Sequence, residues 1–113
     1  MIKLFLILEI LGFSTASLVH FGVLIHGYEH PKAPIAEGII AAILLAGLIL
    51  ITAFPSKKKA ISYTVQGFAL FGTLIGLFTI IVGVGPQSVP DIVFHISIVS
   101  LLVWGLIITK REV

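Results

Sequence analysis

The sequence predicts an all-α membrane protein: a four-transmembrane-helix, up-down-up-down bundle with both termini cytoplasmic. Three observations predict it. First, the 113 residues are 58% hydrophobic and 11% charged, with a mean hydropathy of +1.22. A soluble domain of this length cannot hide so much apolar surface, whereas a bilayer accepts it. Second, four apolar stretches, each close to the ~20 residues that a span requires, are separated by short breaks rich in Pro, Gly and polar residues. Third, the ionisable residues are sorted by side. Lys3, Lys57, Lys58, Lys59, Lys110 and Arg111 collect at one surface, and His20, His26, Glu29, His30, Glu37, Asp91 and His95 at the other.

The first span is expected over residues 2–26. Its start superficially resembles a secretory signal, but Glu9 interrupts the apolar run, so the segment reads as a retained span. The connection Gly27-Tyr28-Glu29-His30-Pro31-Lys32-Ala33 follows. The second span, 34–54, opens on Pro34, a residue suited to the first turn of a helix. Pro55-Ser56-Lys57-Lys58-Lys59 is a strong stop. The third span is expected over 60–84, and Gly85-Pro86-Gln87-Ser88-Val89 makes a tight connection to the fourth, 90–109. Loops this short force sequential helices to run antiparallel, and the whole of 1–113 reads as one transmembrane domain. Only Lys32 breaks the charge asymmetry, so the positive-inside bias puts the termini and the middle loop in the cytoplasm. An integral protein of a prokaryotic plasma membrane is the expected setting.

Composition also limits the chemistry. There is no cysteine, which removes disulfides, thiolate ligands, iron–sulfur clusters and covalent haem attachment. The basic residues flank spans as anchors, so no nucleic acid is expected as a partner. There is no Ser or Cys nucleophile arrangement, so the chain is expected to be non-catalytic.

Ionisable groups inside a bilayer are costly, and the one-sided polar cluster is therefore the best functional clue. His20 lies six residues before the expected end of span one, about 9 Å along the axis at ~1.5 Å per residue. His95 lies about 7–8 Å into span four, and Glu37 about 4–5 Å into span two. Three helices thus bring these groups to a common level. Asp91 and His95, spaced i, i+4, share a face. One reading is a divalent metal site of His20, Glu37 and His95, with Asp91 as a further ligand or as the group that orients His95. Another is b-type haem held by His20 and His95 as axial ligands. The plainer reading is polar pairing, with His20 and His95 hydrogen-bonded to Glu37 or Asp91, and Asp91 acting as a first-turn acid after Pro90.

Glu9 stands apart, in the cytoplasmic half. With His20, about 16 Å along the same helix, it outlines a proton path. The plainer reading bonds it to Gln66, Ser62, Tyr63 or Thr109. The segment Ile7-Leu8-Glu9-Ile10-Leu11-Gly12 resembles the first span of the small multidrug resistance transporters, which are also four-helix proteins with a Glu in that span. The resemblance covers that segment; the other spans, with His95 and the connection 83–91, do not look like that family. Gly72-Thr73-Leu74-Ile75-Gly76 is a small-xxx-small motif suited to close helix packing, to self-association or to docking on other membrane subunits. The leading expectation is an accessory subunit of a larger respiratory or oxidase-type membrane complex that binds a metal ion or haem. A small oligomeric proton-coupled or metal-ion transporter using Glu9 and His20 is the alternative.

Overall fold

Residues 1–112 are described by a computed structural model. Four long helices account for most of them: α1 Ile2–His20, α2 Ala33–Ala53, α3 Lys58–Ile81 and α4 Val89–Arg111, with a single 3-10 turn, Pro55–Lys57, leading into α3. No strand occurs among the described residues. Each helix is long and apolar enough to cross a membrane.

The local reasons are visible at the ends. Pro34 sits in the first turn of α2, and Ser88 caps α4 through a reciprocal pair with Asp91. In that pair the Asp91 amide donates to Ser88 Oγ at 3.2 Å, and the Ser88 amide donates to Asp91 Oδ2 at 3.3 Å. The first span is shorter than the sequence suggests, ending at His20 instead of residue 26. Gly22 adopts φ +80°, the Gly22 amide donates to Val19 O at 3.0 Å, and the Val23 amide donates to Leu18 O at 3.0 Å. This paired arrangement closes a helix around a left-handed glycine. The same closure at Gly83 ends α3 at Ile81 rather than residue 84. The remaining boundaries differ from expectation by no more than two residues.

α1 packs on α2 and α4, and α3 packs on the same two helices. Their shared core is built from Leu6, Phe13, Ile40, Leu44, Ala69, Ile98 and Leu102, among others. The outward surface is apolar as well, with Leu11, Ile49, Phe71, Phe78, Ile96 and Trp104 all exposed. Helices that are apolar on every side match a hydrocarbon solvent, not water. In such a solvent, association depends on close packing. Gly47 is an instance: a Cβ there would lie 2.7 and 2.9 Å from the two methyls of Val65, so α2 and α3 approach this closely at that point because position 47 has no side chain.

Gly47→Ala is therefore expected to destabilise the fold by about 1–3 kcal/mol through overpacking. Gly67→Ala, whose Cβ would meet nothing within 4 Å, should be neutral or stabilising by up to ~1 kcal/mol. Unfolding midpoints of the two variants in detergent check the contrast.

Candidate functional site

His20 is the last residue of α1, Glu37 lies in the first turns of α2, and Asp91 in the first turn of α4. The 21–32 connection doubles back so that the His30 amide donates to His20 O at 3.0 Å. Ser17 donates to Pro34 O at 2.7 Å, tying the end of α1 to the start of α2. These ties converge the three ionisable groups. His20 Nδ1 meets Glu37 Oε1 at 2.6 Å, and His20 Nε2 meets Asp91 Oδ1 at 2.6 Å. Both acceptors are carboxylate oxygens, so both ring nitrogens act as donors and the ring is an imidazolium between two carboxylates. All three residues are buried, His20 being 3% exposed. Short charge-assisted bonds of this kind offset the large cost of taking the charges out of water.

Asp91 serves two partners. Its Oδ1 accepts from His20, while its Oδ2 accepts from the hydroxyl and amide of Ser88 at the cap. Glu37 serves one: its Oε2 is buried with no hydrogen-bond partner.

The other three histidines do not join this set. His95 Nδ1 donates to the main-chain oxygen of Asp91 at 2.7 Å, not to its carboxylate. Its Nε2 is turned toward Gly76, where a Cβ would lie 3.3 Å away. His30 Nδ1 accepts from the amides of Lys32 and Ala33 at 3.2 and 3.0 Å, capping α2, and its Nε2 donates to Val84 O at 3.3 Å, joining the α1–α2 and α3–α4 connections. His26 is exposed in the loop, as is Glu29, whose Oε1 accepts from the Gly27 amide at 2.6 Å.

The His20, Glu37 and Asp91 of the expected metal set are thus together and bonded to one another, with His95 outside the bonded group. Among the described residues no group of three or more His, Asp or Glu is arranged to hold a metal ion. For haem the same geometry matters: an axial His needs a free ring nitrogen, and both nitrogens of His20 face carboxylates.

Two cavities flank the triad. One, about 210 Å³, is lined by Glu37 and Ile40 of α2, Gly72, Thr73 and Gly76 of α3, and His95 of α4. Gly72 and Gly76 accordingly face Ile40 and His95 of the same chain. The other, about 530 Å³, lies against α1 and α4, lined by His20, Tyr28, Pro90, Asp91 and Phe94. The hydrogen-bonded row Glu37–His20–Asp91 runs from the wall of one cavity to the wall of the other.

Toward the opposite end, Glu9 is fully buried and neither of its oxygens has a hydrogen-bond partner. Gln66, Ser62 and Thr109 do gather there, but they bond one another. Gln66 Nε2 donates to Ser62 Oγ at 2.6 Å and to Thr109 Oγ1 at 2.9 Å. In this arrangement Gln66 Oε1 is left without a partner among the described residues. Gln66 Oε1 and Glu9 Oε2 both crowd the place a side chain would occupy at Gly105. Tyr63, the other expected partner, is 38% exposed.

No protein family, curated protein or solved structure that was compared matches this chain.

His20→Leu should cost about 3–5 kcal/mol, because it leaves two buried carboxylates without their cation, and adding Glu37→Gln and Asp91→Asn should recover most of that loss. Glu9→Gln should instead stabilise by about 1 kcal/mol, since an amide can donate to Gln66 Oε1. Detergent unfolding midpoints measure both; a destabilised Glu9→Gln would mean that the carboxyl has a partner.

Proposed function

We propose that this chain is a small integral membrane protein that carries protons across the bilayer. The observation that supports it most is the buried row Glu37–His20–Asp91 standing between two cavities. An imidazole that donates at both nitrogens can pass a proton to one carboxylate and regain one from the other, with no change in the positions of the three heavy-atom groups. Asp91 and His20 face the cavity of the α1–α4 side, and Glu37 faces the other. A proton entering on one side is thereby handed to the other side without crossing apolar space.

The proposed topology is up-down-up-down, with both termini and the Lys57-Lys58-Lys59 turn on the cytoplasmic side and the triad toward the outside. The meeting of the ends supports it: the Met1 amino group lies 3.6 Å from Glu112 Oε1, and Lys58 Nζ lies 3.7 Å from the same oxygen. In this frame Glu9 is the inner station. It lies eleven residues from His20, about 16 Å at ~1.5 Å per residue, too far for one hydrogen bond, so exchange between the stations takes a conformational step or a file of water.

The reading as an accessory subunit of a respiratory or oxidase-type complex draws support from the short connections between helices. A metal or haem in it would require His20 to give up a carboxylate first.

In liposomes containing a pH-sensitive dye, the purified protein should dissipate an imposed proton gradient several-fold faster than protein-free vesicles. Glu9→Gln should return the rate to that baseline despite its greater stability. A wild-type rate equal to empty vesicles would overturn the carrier reading and favour a subunit that acts only with partners. The cysteine-free sequence permits a direct topology test: Gln87→Cys should react with an impermeant maleimide added outside intact cells, and Ser56→Cys should not.

A further inference from the structure

Glu9 of α1, Gln66 of α3 and Gly105 of α4 meet at the end of the bundle away from the triad. Because α1 and α3 each pack on α2 and α4, they lie on a diagonal, and a contact between them has to cross the middle of the bundle. Gly105 leaves the room. A Cβ there would lie 2.7 Å from Glu9 Oε2 and closer still to Gln66 Oε1, so the two oxygens converge on one small space.

The turn of the Gln66 amide follows from its neighbours' protons. The Thr109 hydroxyl donates to Gly105 O at 2.8 Å, so in its 2.9 Å contact with Ser62 the proton comes from Ser62. Both hydroxyl oxygens then have only lone pairs to offer, and Gln66 Nε2 meets them with its two protons, at 2.6 and 2.9 Å. The opposite turn would set Oε1 against those lone pairs. Gln66 Oε1 is left facing Glu9.

Glu9 has no donor of its own to receive. It forms no ion pair among the described residues, and both of its oxygens, like Gln66 Oε1, are closed to solvent and unpartnered. Neither of the two cavities is lined by Glu9, Gln66 or Gly105, so no molecule in them completes these atoms. A bare carboxylate charge in an apolar interior is costly, and such a group takes up a proton instead. A proton needs no cavity. The neutral carboxyl has one O–H to give, and Gln66 Oε1 is the acceptor beside it.

We propose that Glu9 stands as a neutral carboxylic acid whose O–H donates to Gln66 Oε1 across the space left by Gly105, which makes Gln66 the positioning residue for that proton. The proposal rests on the carrier reading above for its role in transport: the inner station waits loaded and gives up its proton as Glu9 and Gln66 part. The acid itself can be measured without any gradient. An amide at position 9 makes the same bond with no proton to hold, in line with the stabilisation expected of Glu9→Gln.

The test is infrared difference spectroscopy of the full chain at neutral pH in dodecyl maltoside, a detergent without carbonyl groups. Wild type minus Glu9→Gln should show the carbonyl stretch of one protonated carboxyl per chain. Its frequency should match that of monomeric propionic acid in dimethylacetamide, an amide acceptor, and not in heptane, where the acid has no partner. Gln66→Leu should move the band up toward the heptane value, and Gly105→Ala, whose methyl intrudes between the two oxygens, should do the same. The wild-type spectrum decides even where neither variant folds: absence of the Glu9 band, or a band at the heptane value, overturns the proposal. So does a band unmoved in either folded variant. The bonded acid without proton flux removes the carrier and keeps the pair; flux without the band does the reverse.

Discussion

One imidazolium holds three helices in register. His20 closes α1, and through its two nitrogens it grips the first turns of α2 and α4, each at 2.6 Å. In a bilayer, apolar burial gives helices little reason to prefer one neighbour over another, since lipid tails are as apolar as leucine. Polar contacts and close packing then decide the arrangement. The triad does this at one end, and the Gln66–Ser62–Thr109 set, joining α3 to α4, does it at the other. Between them the core is aliphatic and aromatic, apart from buried hydroxyls such as Thr73 that bond their own helix.

The two polar ends differ in a way that matters for chemistry. At the triad end donors and acceptors nearly balance, with Glu37 Oε2 left over. At the end that holds Glu9 the imbalance is larger: Glu9 Oε1, Glu9 Oε2 and Gln66 Oε1 have no hydrogen-bond partner among the described residues. Such groups are expensive in a medium without water, and proteins retain them where a proton or ligand completes them.

Much of this was legible in the sequence, because the strongest signals are compositional. Four apolar stretches, Pro34 near a helix start, and Asp91 after Pro90 each carry a local cause that needs no neighbour. His20, Glu37 and Asp91 stood out because ionisable residues in spans are rare. Their partnership was not legible in detail. Asp91 shares a helical face with His95, which suggested that pair, yet α4 turns the carboxylate to His20 and leaves His95 only the main-chain oxygen. Helix rotation about its own axis depends on the packing of the whole set, and a single helix does not encode it. The end of α1 was hidden for a different reason: Phe21-Gly22-Val23-Leu24-Ile25 continues the apolar run, and one glycine in the left-handed region outweighs it. The solitude of Glu9 was likewise invisible, since nothing in the sequence says that Gln66 spends its amide on hydroxyls.

Asp91 divides its carboxylate between two tasks. One oxygen receives the proton-bearing ring of His20, and the other receives the hydroxyl and amide that cap α4. Electron density in a carboxylate is shared, so whatever binds harder at one oxygen makes the other a poorer acceptor. A proton drawn onto Asp91 from the ring would loosen the cap in the same event, and the first turn of α4 would be free to unwind or pivot at Pro90. The charge at the triad therefore bears directly on the cap of a 23-residue helix.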